Sequence, residues 1–383
     1  MPTPLIYADH AATTPVRPEV LQAMLPYFSQ QYGNPSSLYR LGRQAKAALE
    51  QARETVAGCL KTQPEEIFFT SGGSEGDNWA VKGMALAGKA AGKHHLITTA
   101  MEHPALLESC KFLEAEGNRV SYLPISPTGF LTPEQVEAAI DQDTFLVSVM
   151  YANNEIGTIQ PVPEIGAICR KKGIPFHTDA VQAAGWLTLD VQAQNIDLLT
   201  LSAHKFGGPK GVGVLYCKKG LPLYSLIHGG KQEKNRRAGT ENVAGAVGLA
   251  KAMELARKDQ AQRSEEVVQK RNWLEQELSA LPGCMVNGAQ PRLPGHLNLS
   301  FPGVEGESLL LYLDAQGIAA SSGSACSSGS GKPSHVLLAL GRSEKEAKGS
   351  LRLSIGEELS WDDCRRLVKA IGSAVDFLRF DAP

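Results

Sequence analysis

Through the first two thirds of the chain, short apolar runs alternate with longer stretches in which apolar residues recur every three or four positions. The runs lie at 67–70, 95–100, 119–124, 144–151, 174–178, 196–201 and 212–217. Most are nearly continuous in hydrophobicity, the pattern of strands buried on both faces. Helical periodicity or helix-start signals fall between and around them, at 19–27 (opened by Pro18), 43–60, 79–91, after Pro104, and at 133–140, 162–170 and 243–257. Such alternation predicts an α/β fold on a mostly parallel, seven-stranded sheet. Beyond position 260 the order changes to a charged helix at 262–281, a strand at 296–301, a helix at 306–316, a strand at 351–355 and a final helix at 361–377. That mixed order predicts a smaller α+β domain. The expected division is 15–260 for the large domain, with 1–14 and 261–383 forming the small one.

Composition narrows the function classes. At 383 residues, 43% hydrophobic and 20% charged, the chain is long enough for two domains and ordinary for a globular protein. A formal net charge of -2 with scattered basic residues gives no support for binding nucleic acid or a membrane surface. Residues 1–7 lack a signal-peptide pattern, and no apolar stretch is long enough to span a bilayer. The seven cysteines are widely spaced and include no Cys-x-x-Cys pair, so neither a metal site nor a disulfide framework is expected. A reducing, cytoplasmic location is the natural expectation.

Candidate chemistry gathers after the apolar runs. Residues 201–211 read Leu-Ser-Ala-His-Lys-Phe-Gly-Gly-Pro-Lys-Gly. They present Lys205 at the end of a buried strand, where poor solvation favours a neutral, nucleophilic amine. A surface-turn lysine is the plain alternative, but Ser202 and His204 flank Lys205 and Asp179 closes the preceding apolar run. An imine-forming lysine and a carboxylate on neighbouring strand ends suit pyridoxal phosphate, whose pyridine nitrogen needs a buried negative partner. Residues 70–78 read Thr-Ser-Gly-Gly-Ser-Glu-Gly-Asp-Asn between a strand and a helix, the arrangement that aims backbone N–H groups at an anion, and Ser74 is placed to cap that helix. His103 and Asn154 each follow a strand, and Arg352 lies inside an apolar strand, where a guanidinium needs an anion. Residues 321–331, Ser-Ser-Gly-Ser-Ala-Cys-Ser-Ser-Gly-Ser-Gly, have the composition of a flexible linker. A linker gains nothing from one cysteine at its middle, whereas a thiol on a mobile tether can collect a group at a buried site and present it elsewhere.

Together these motifs, spread over nearly the whole chain, resemble the cysteine desulfurases, the NifS/IscS branch of the class V pyridoxal-phosphate-dependent aminotransferases. The resemblance implies the type I fold of such transferases and a homodimer. It also implies conversion of L-cysteine to L-alanine with a persulfide on Cys326, sulfur then passing to an iron–sulfur scaffold protein or a tRNA-thiolation partner. By the same resemblance Lys205 carries the cofactor, and His103 stacks on its ring and is catalytic, taking part in proton transfer and in activating the Cys326 thiol. Asp179 pairs its ring nitrogen, Asn154 and Gln182 reach its phenolic oxygen, and Gly73, Ser74, Ser202 and His204 hold its phosphate. Thr240 reaches the phosphate in the neighbouring subunit, while Asn34, Asn154 and Arg352 bind the substrate. The loop around Cys326 is similar to the long loop of the IscS/NifS group rather than the short one of the SufS group, but departs after the cysteine at 331–335, Gly-Lys-Pro-Ser-His. A selenocysteine lyase shares nearly every motif. Another class V aminotransferase would need Lys205 and Asp179 but not Cys326, and a non-enzymatic scaffold would need none of them.

Overall fold

The computed structural model describes residues 5–258, 260–322 and 332–380. Its centre is a seven-stranded sheet built from Ile67–Thr70 (β1), His95–Thr99 (β2), Arg119–Leu123 (β3), Thr144–Ser148 (β4), Phe176–Asp179 (β5), Leu198–Ser202 (β6) and Gly213–Cys217 (β7). The spatial order is β1-β7-β6-β5-β4-β2-β3. Pairing is parallel from β6 to the β3 edge, and β7 runs antiparallel to both β6 and β1. Two reversals restore the direction, so β1 ends on the same edge of the sheet as β2, β4, β5 and β6.

Period-two alternation assigns each strand's side chains to two cores. Phe69, Ile97, Val147, Leu199, Leu201 and Val214 face one layer, which includes Leu49 and Val56 of the helix Arg40–Leu60. Phe68, Leu96, Leu146, Leu198 and Leu215 face the other, with Trp79 and Met84 of the helix Gly73–Ala90. With both faces covered, the inner strands are buried at every position, and only the edge strand β3 is not. This is why the sequence shows runs rather than alternation.

A separate core gathers Ile6 and Ala8 with residues from 267 to 375. Here His296–Ser300 lies between Met285–Asn287 and Ser350–Ser354, antiparallel to both. The N-terminal strand Ile6–Tyr7 pairs in parallel with Ile318–Ala319, so the first residues of the chain are built into the unit formed by the last.

Two expected helices differ from the observed ones. The stretch at 19–27 is split into Pro18–Met24 and Pro26–Ser29, because Pro26 has no N–H to continue the ladder. The helix expected at 79–91 begins six residues earlier, at Gly73, with Gly72 (φ 152°) at the N-cap. Ser74 therefore sits inside the first turn and does not cap. The glycines that read as loop are what allow the helix to lie this close to the sheet: a Cβ on Gly76 would stand 2.6 Å from Thr200 Cγ2 of β6.

Gly76→Ala is expected to lose about 1–3 kcal/mol in urea unfolding, because the helix must lift off Thr200. Gly58→Ala, on an exposed helical position with nothing near the new methyl, should gain roughly 0.5–1 kcal/mol. Equal effects at the two positions would remove the packing explanation.

Candidate active site

The shared edge of the sheet collects the predicted residues. The Gly72–Ser74 turn follows β1, His103 follows β2, Asn154 follows β4, Asp179 ends β5, and Lys205 closes a single 3-10 turn, Ala203–Lys205, after β6. In β5 and β6 Asp179 pairs with Thr200, which fixes the two strand ends side by side.

Asp179 is buried, and burial pushes its carboxyl up to about 6, opposed by the N–H of Val181, which donates to Oδ1 (2.9 Å), and by the positive charge of Lys205. It is therefore mostly ionised at neutral pH. Lys205 donates to the carbonyls of Ala11 (2.6 Å) and Ala12 (2.7 Å). Gln182 Nε2 donates to the same Ala11 carbonyl (3.0 Å).

His103 is the N-cap of the helix Pro104–Ala115, its Nδ1 accepting from Ala105 N (3.1 Å). Burial first, then the charges of Lys205 and His335, pull its imidazole down to about 4. The ring is thus neutral at pH 7, with its proton on Nε2, so that nitrogen is a donor. The charge of Lys205 is felt by His103, Asp179 and His204, and also by the buried His296.

At the far side Arg352 is 1% exposed. Its Nη2 donates to Asp9 Oδ1 (2.8 Å), its Nη1 to the carbonyl of Asn154 (3.2 Å), and its Nε has no hydrogen-bond partner among the described residues. Asp9, Ala11 and Ala12 thus form one turn that touches the guanidinium at one end and the lysine at the other. Residues 7–15 resemble the opening segment of class V enzymes, which lies near the active site, but nothing in that short polar run singles out Asp9, because a lone carboxylate there carries no periodicity to flag it.

Ser202 Oγ lies 3.6 Å from where a Cβ on Gly72 would stand, and a Cβ on Gly73 would be 2.9 Å from Val181. His204 turns its Nδ1 to Thr13 Oγ1 (3.1 Å). Asn34 sits on an exposed turn, where its Oδ1 accepts from Ser36 N (2.9 Å). Thr240 is exposed and does not cap the next helix, Val243–Arg257; Asn242 does, accepting from Gly245 N (2.9 Å). Cys326 lies outside the described residues.

The residues present fit pyridoxal phosphate. The first-turn N–H groups at Gly73 and the Ser202 hydroxyl provide an anion cradle in which a Cβ at Gly73 would collide, and Asp179, His103 and Lys205 provide a carboxylate, a neutral planar ring and an amine.

Buried acids surround the site that the sequence reading did not single out. Asp77 lies beneath Asp179, 3.8 Å from His177 Nε2; burial, then the charge of Asp179, raises its carboxyl. Glu102, beside His103, accepts at Oε1 from Thr99 Oγ1 (2.7 Å) and Met150 N (3.0 Å), while Oε2 has no partner among the described residues. Burial pushes it up to about 8. Glu155, beside Asn154, is pushed by burial to about 7, against the Ser334 hydroxyl and the charge of Arg352.

The sign of the Glu102 effect on stability follows from linkage. The folded chain keeps this proton up to about pH 8 and the unfolded chain loses it near 4.5. Its contribution to stability therefore falls as pH rises from 4.5 to 8 and is level above. Glu102→Gln should match the native protein near pH 4.5 and become progressively more stable than it up to pH 8, by at most about 1.4 kcal/mol per pH unit. A pH-independent offset in denaturation midpoints would show that Glu102 is not protonated in the fold.

Among the described residues no helix is long and apolar enough to cross a membrane, and no group of three or more His, Cys, Asp or Glu is arranged to hold a metal ion. Residues 6–367 match the family model for aminotransferase class-V. The cysteine desulfurase IscS of Clostridium botulinum (strain Hall) is 50% identical over 382 residues, covering 99% of this chain and 96% of the relative. The cysteine desulfurase IscS of Methanosarcina thermophila is 49% identical over 379 residues, covering 99% and 94%. Among solved structures, a NifS-like protein superposes with a TM-score of 0.92 at 38% identity, covering 97% of this chain and all of that one. SspA in complex with cysteine superposes with a TM-score of 0.83 at 39% identity, covering 92% and 99%. With its lysine, carboxylate and anion turn on one sheet edge, the chain belongs to the class-V aminotransferase family, within its pyridoxal-phosphate-dependent cysteine desulfurases.

Proposed function

We propose that Lys205, Asp179, His103, Arg352 and Cys326 divide the work of moving sulfur from L-cysteine to a thiol of this chain. The observation that supports this most is the pairing of β5 with β6, which sets the ionised Asp179 within the field of the Lys205 amine. Pyridoxal phosphate, when bound, supplies an electron sink for the substrate's Cα–H bond. Lys205 is the amine that would hold it and, once displaced by the substrate amine, the base that takes the Cα proton and returns it. Asp179 is the charge that would keep the ring nitrogen protonated. Gly73, Ser74, Ser202 and His204 would hold the phosphate. Asn154 and Gln182 would serve the ring oxygen.

Arg352 takes the substrate carboxylate. Its Nε has no partner among the described residues and its Nη2 is held by Asp9, which keeps the fork in place before substrate arrives. Asn34 and Asn154 are assigned to the same substrate. Cys326, as thiolate, attacks the substrate sulfur; the new S–S bond forms as the substrate C–S bond breaks, and the carbon gains a proton to become alanine. The neutral His103 donates from Nε2 and so favours the anionic form of a nearby sulfur rather than acting as its base. The persulfide then passes its outer sulfur to an acceptor, an iron–sulfur scaffold protein or a tRNA-thiolation partner. Thr240, exposed on the polar segment at 229–242, is assigned to the phosphate site of a second copy in a homodimer. A large domain at 15–260, a small one at 1–14 and 261–383, and a cytoplasmic location complete the proposal.

Lys205→Ala is expected to lose the visible absorbance that borohydride abolishes in the native holoenzyme. Cys326→Ser should keep the absorbance change on adding cysteine but lose sulfide release by at least about a hundredfold; sulfide release at the native rate would remove Cys326 from the chemistry. Pyruvate formed from alanine by that variant would point instead to an aminotransferase. Arg352→Lys breaks a two-pronged carboxylate contact and should raise KM for cysteine by about ten- to a hundredfold, and an unchanged KM would place the carboxylate elsewhere.

A further inference from the structure

On either side of the segment that carries Cys326, the described chain is tied to the site within three residues of where the description stops. On one side Ser321 exchanges two backbone hydrogen bonds with Arg352, N to O at 2.6 Å and 3.2 Å. On the other, Ser334 donates its hydroxyl proton to Glu155 Oε2 (2.5 Å) while its oxygen accepts from Leu337 N (3.2 Å). The next residue, His335, donates from Nε2 to the carbonyl of Glu102 (2.9 Å). Glu155 follows Asn154 and Glu102 precedes His103. The chain therefore leaves from the strand of the substrate arginine and returns onto the two turns that carry Asn154 and His103.

We infer that Ser334, through Glu155, and His335, through the Glu102 carbonyl, are positioning residues that fix the point at which the segment bearing the nucleophile re-enters the site. The inference rests on Cys326 being the sulfur-accepting thiol. Capping the short helix His335–Ala339 needs only the Ser334 oxygen. The hydroxyl proton is spent on a carboxyl that is 3% exposed and lies within the field of Arg352. A helix cap needs no such acid, and burying one is costly unless it is paired. In sequence the thiol lies between the two tied ends, five positions after Ser321 and eight before Ser334. Fixing both ends of a tether raises the effective concentration of a group carried between them.

The test is a single turnover of the holoenzyme with L-cysteine at pH 8. Mass spectrometry follows sulfur added to Cys326, and the cysteine-induced absorbance change reports binding separately. Ser334→Ala should slow persulfide formation about tenfold, with the midpoint of the absorbance change moved less than twofold. Ser334→Thr keeps both hydrogen bonds and should restore the rate. Ser334→Asp keeps an equally good cap but opposes Glu155 with a second carboxylate, and should be at least as slow as Ser334→Ala. Glu155→Gln, which leaves the cap untouched, should fall between native and Ser334→Ala. Native rates in Ser334→Ala, an Asp variant as fast as the Thr variant, or parallel loss of cysteine binding in every variant would each overturn the inference. Absence of any added sulfur on Cys326 in the native enzyme would instead overturn the assignment of the thiol on which it rests.

Discussion

A buried carboxylate that ends β5 and a half-buried lysine amine one turn past the end of β6 set the terms for the rest of this molecule. Burial alone would keep Asp179 protonated; the Val181 N–H and the Lys205 charge oppose it, and the balance leaves the acid ionised near neutral pH. That balance depends on the sheet. Parallel pairing from β2 to β6 puts every strand's C-terminal end on one edge, and the double reversal through β7 brings the glycine turn after β1 to the same edge. Ligand sites in open α/β sheets lie at such an edge because loops of different strands converge there without disturbing the core.

The second layer of control is acid buried behind the site. Asp77, Glu102 and Glu155 all lie where water cannot hold their charge, and each is raised. Glu102, raised to about 8, carries no charge at neutral pH, and burial with the charge of Asp179 raises Asp77 as well, which favours Asp179 as the carboxylate that carries the negative charge in this region. Asp77 and Glu102 would otherwise add like charges that push Asp179 toward its protonated form. His177, held between Ser148 Oγ (2.8 Å) and Thr200 Oγ1 (3.0 Å), is pulled down to about 3 by burial and adds no positive charge.

The first and last parts of the chain meet over the site. The N-terminal turn joins Arg352 to Lys205 through Asp9, Ala11 and Ala12, and His10 adds a contact to Glu358 (2.6 Å). Arg352 and the lysine amine are thus joined through one short turn, by the Asp9 carboxylate at one end and the Ala11 and Ala12 carbonyls at the other. Two of those three contacts are main-chain atoms, which a sequence does not display as a motif.

Much of this was legible without coordinates. Continuous apolar runs such as 196–201 and 212–217 read as strands covered on both faces, and their alternation with helices points to the α/β class, because side-chain period and burial are local properties. Lys205, Asp179, His103 and the glycine turn stood out because each closes a run. What the chain alone could not settle was long-range. Asp9 meets Arg352 across 343 positions and Glu155 meets Ser334 across 179, and no periodicity encodes such partners. The helix start at Gly73 was misjudged because glycine's low helical propensity is overridden by the sheet beneath it, where Thr200 leaves room for nothing larger at Gly76. Sequence determined which residues end strands; only the folded chain decided which strand ends are neighbours, because that depends on strand order, and strand order is a property of the whole sheet.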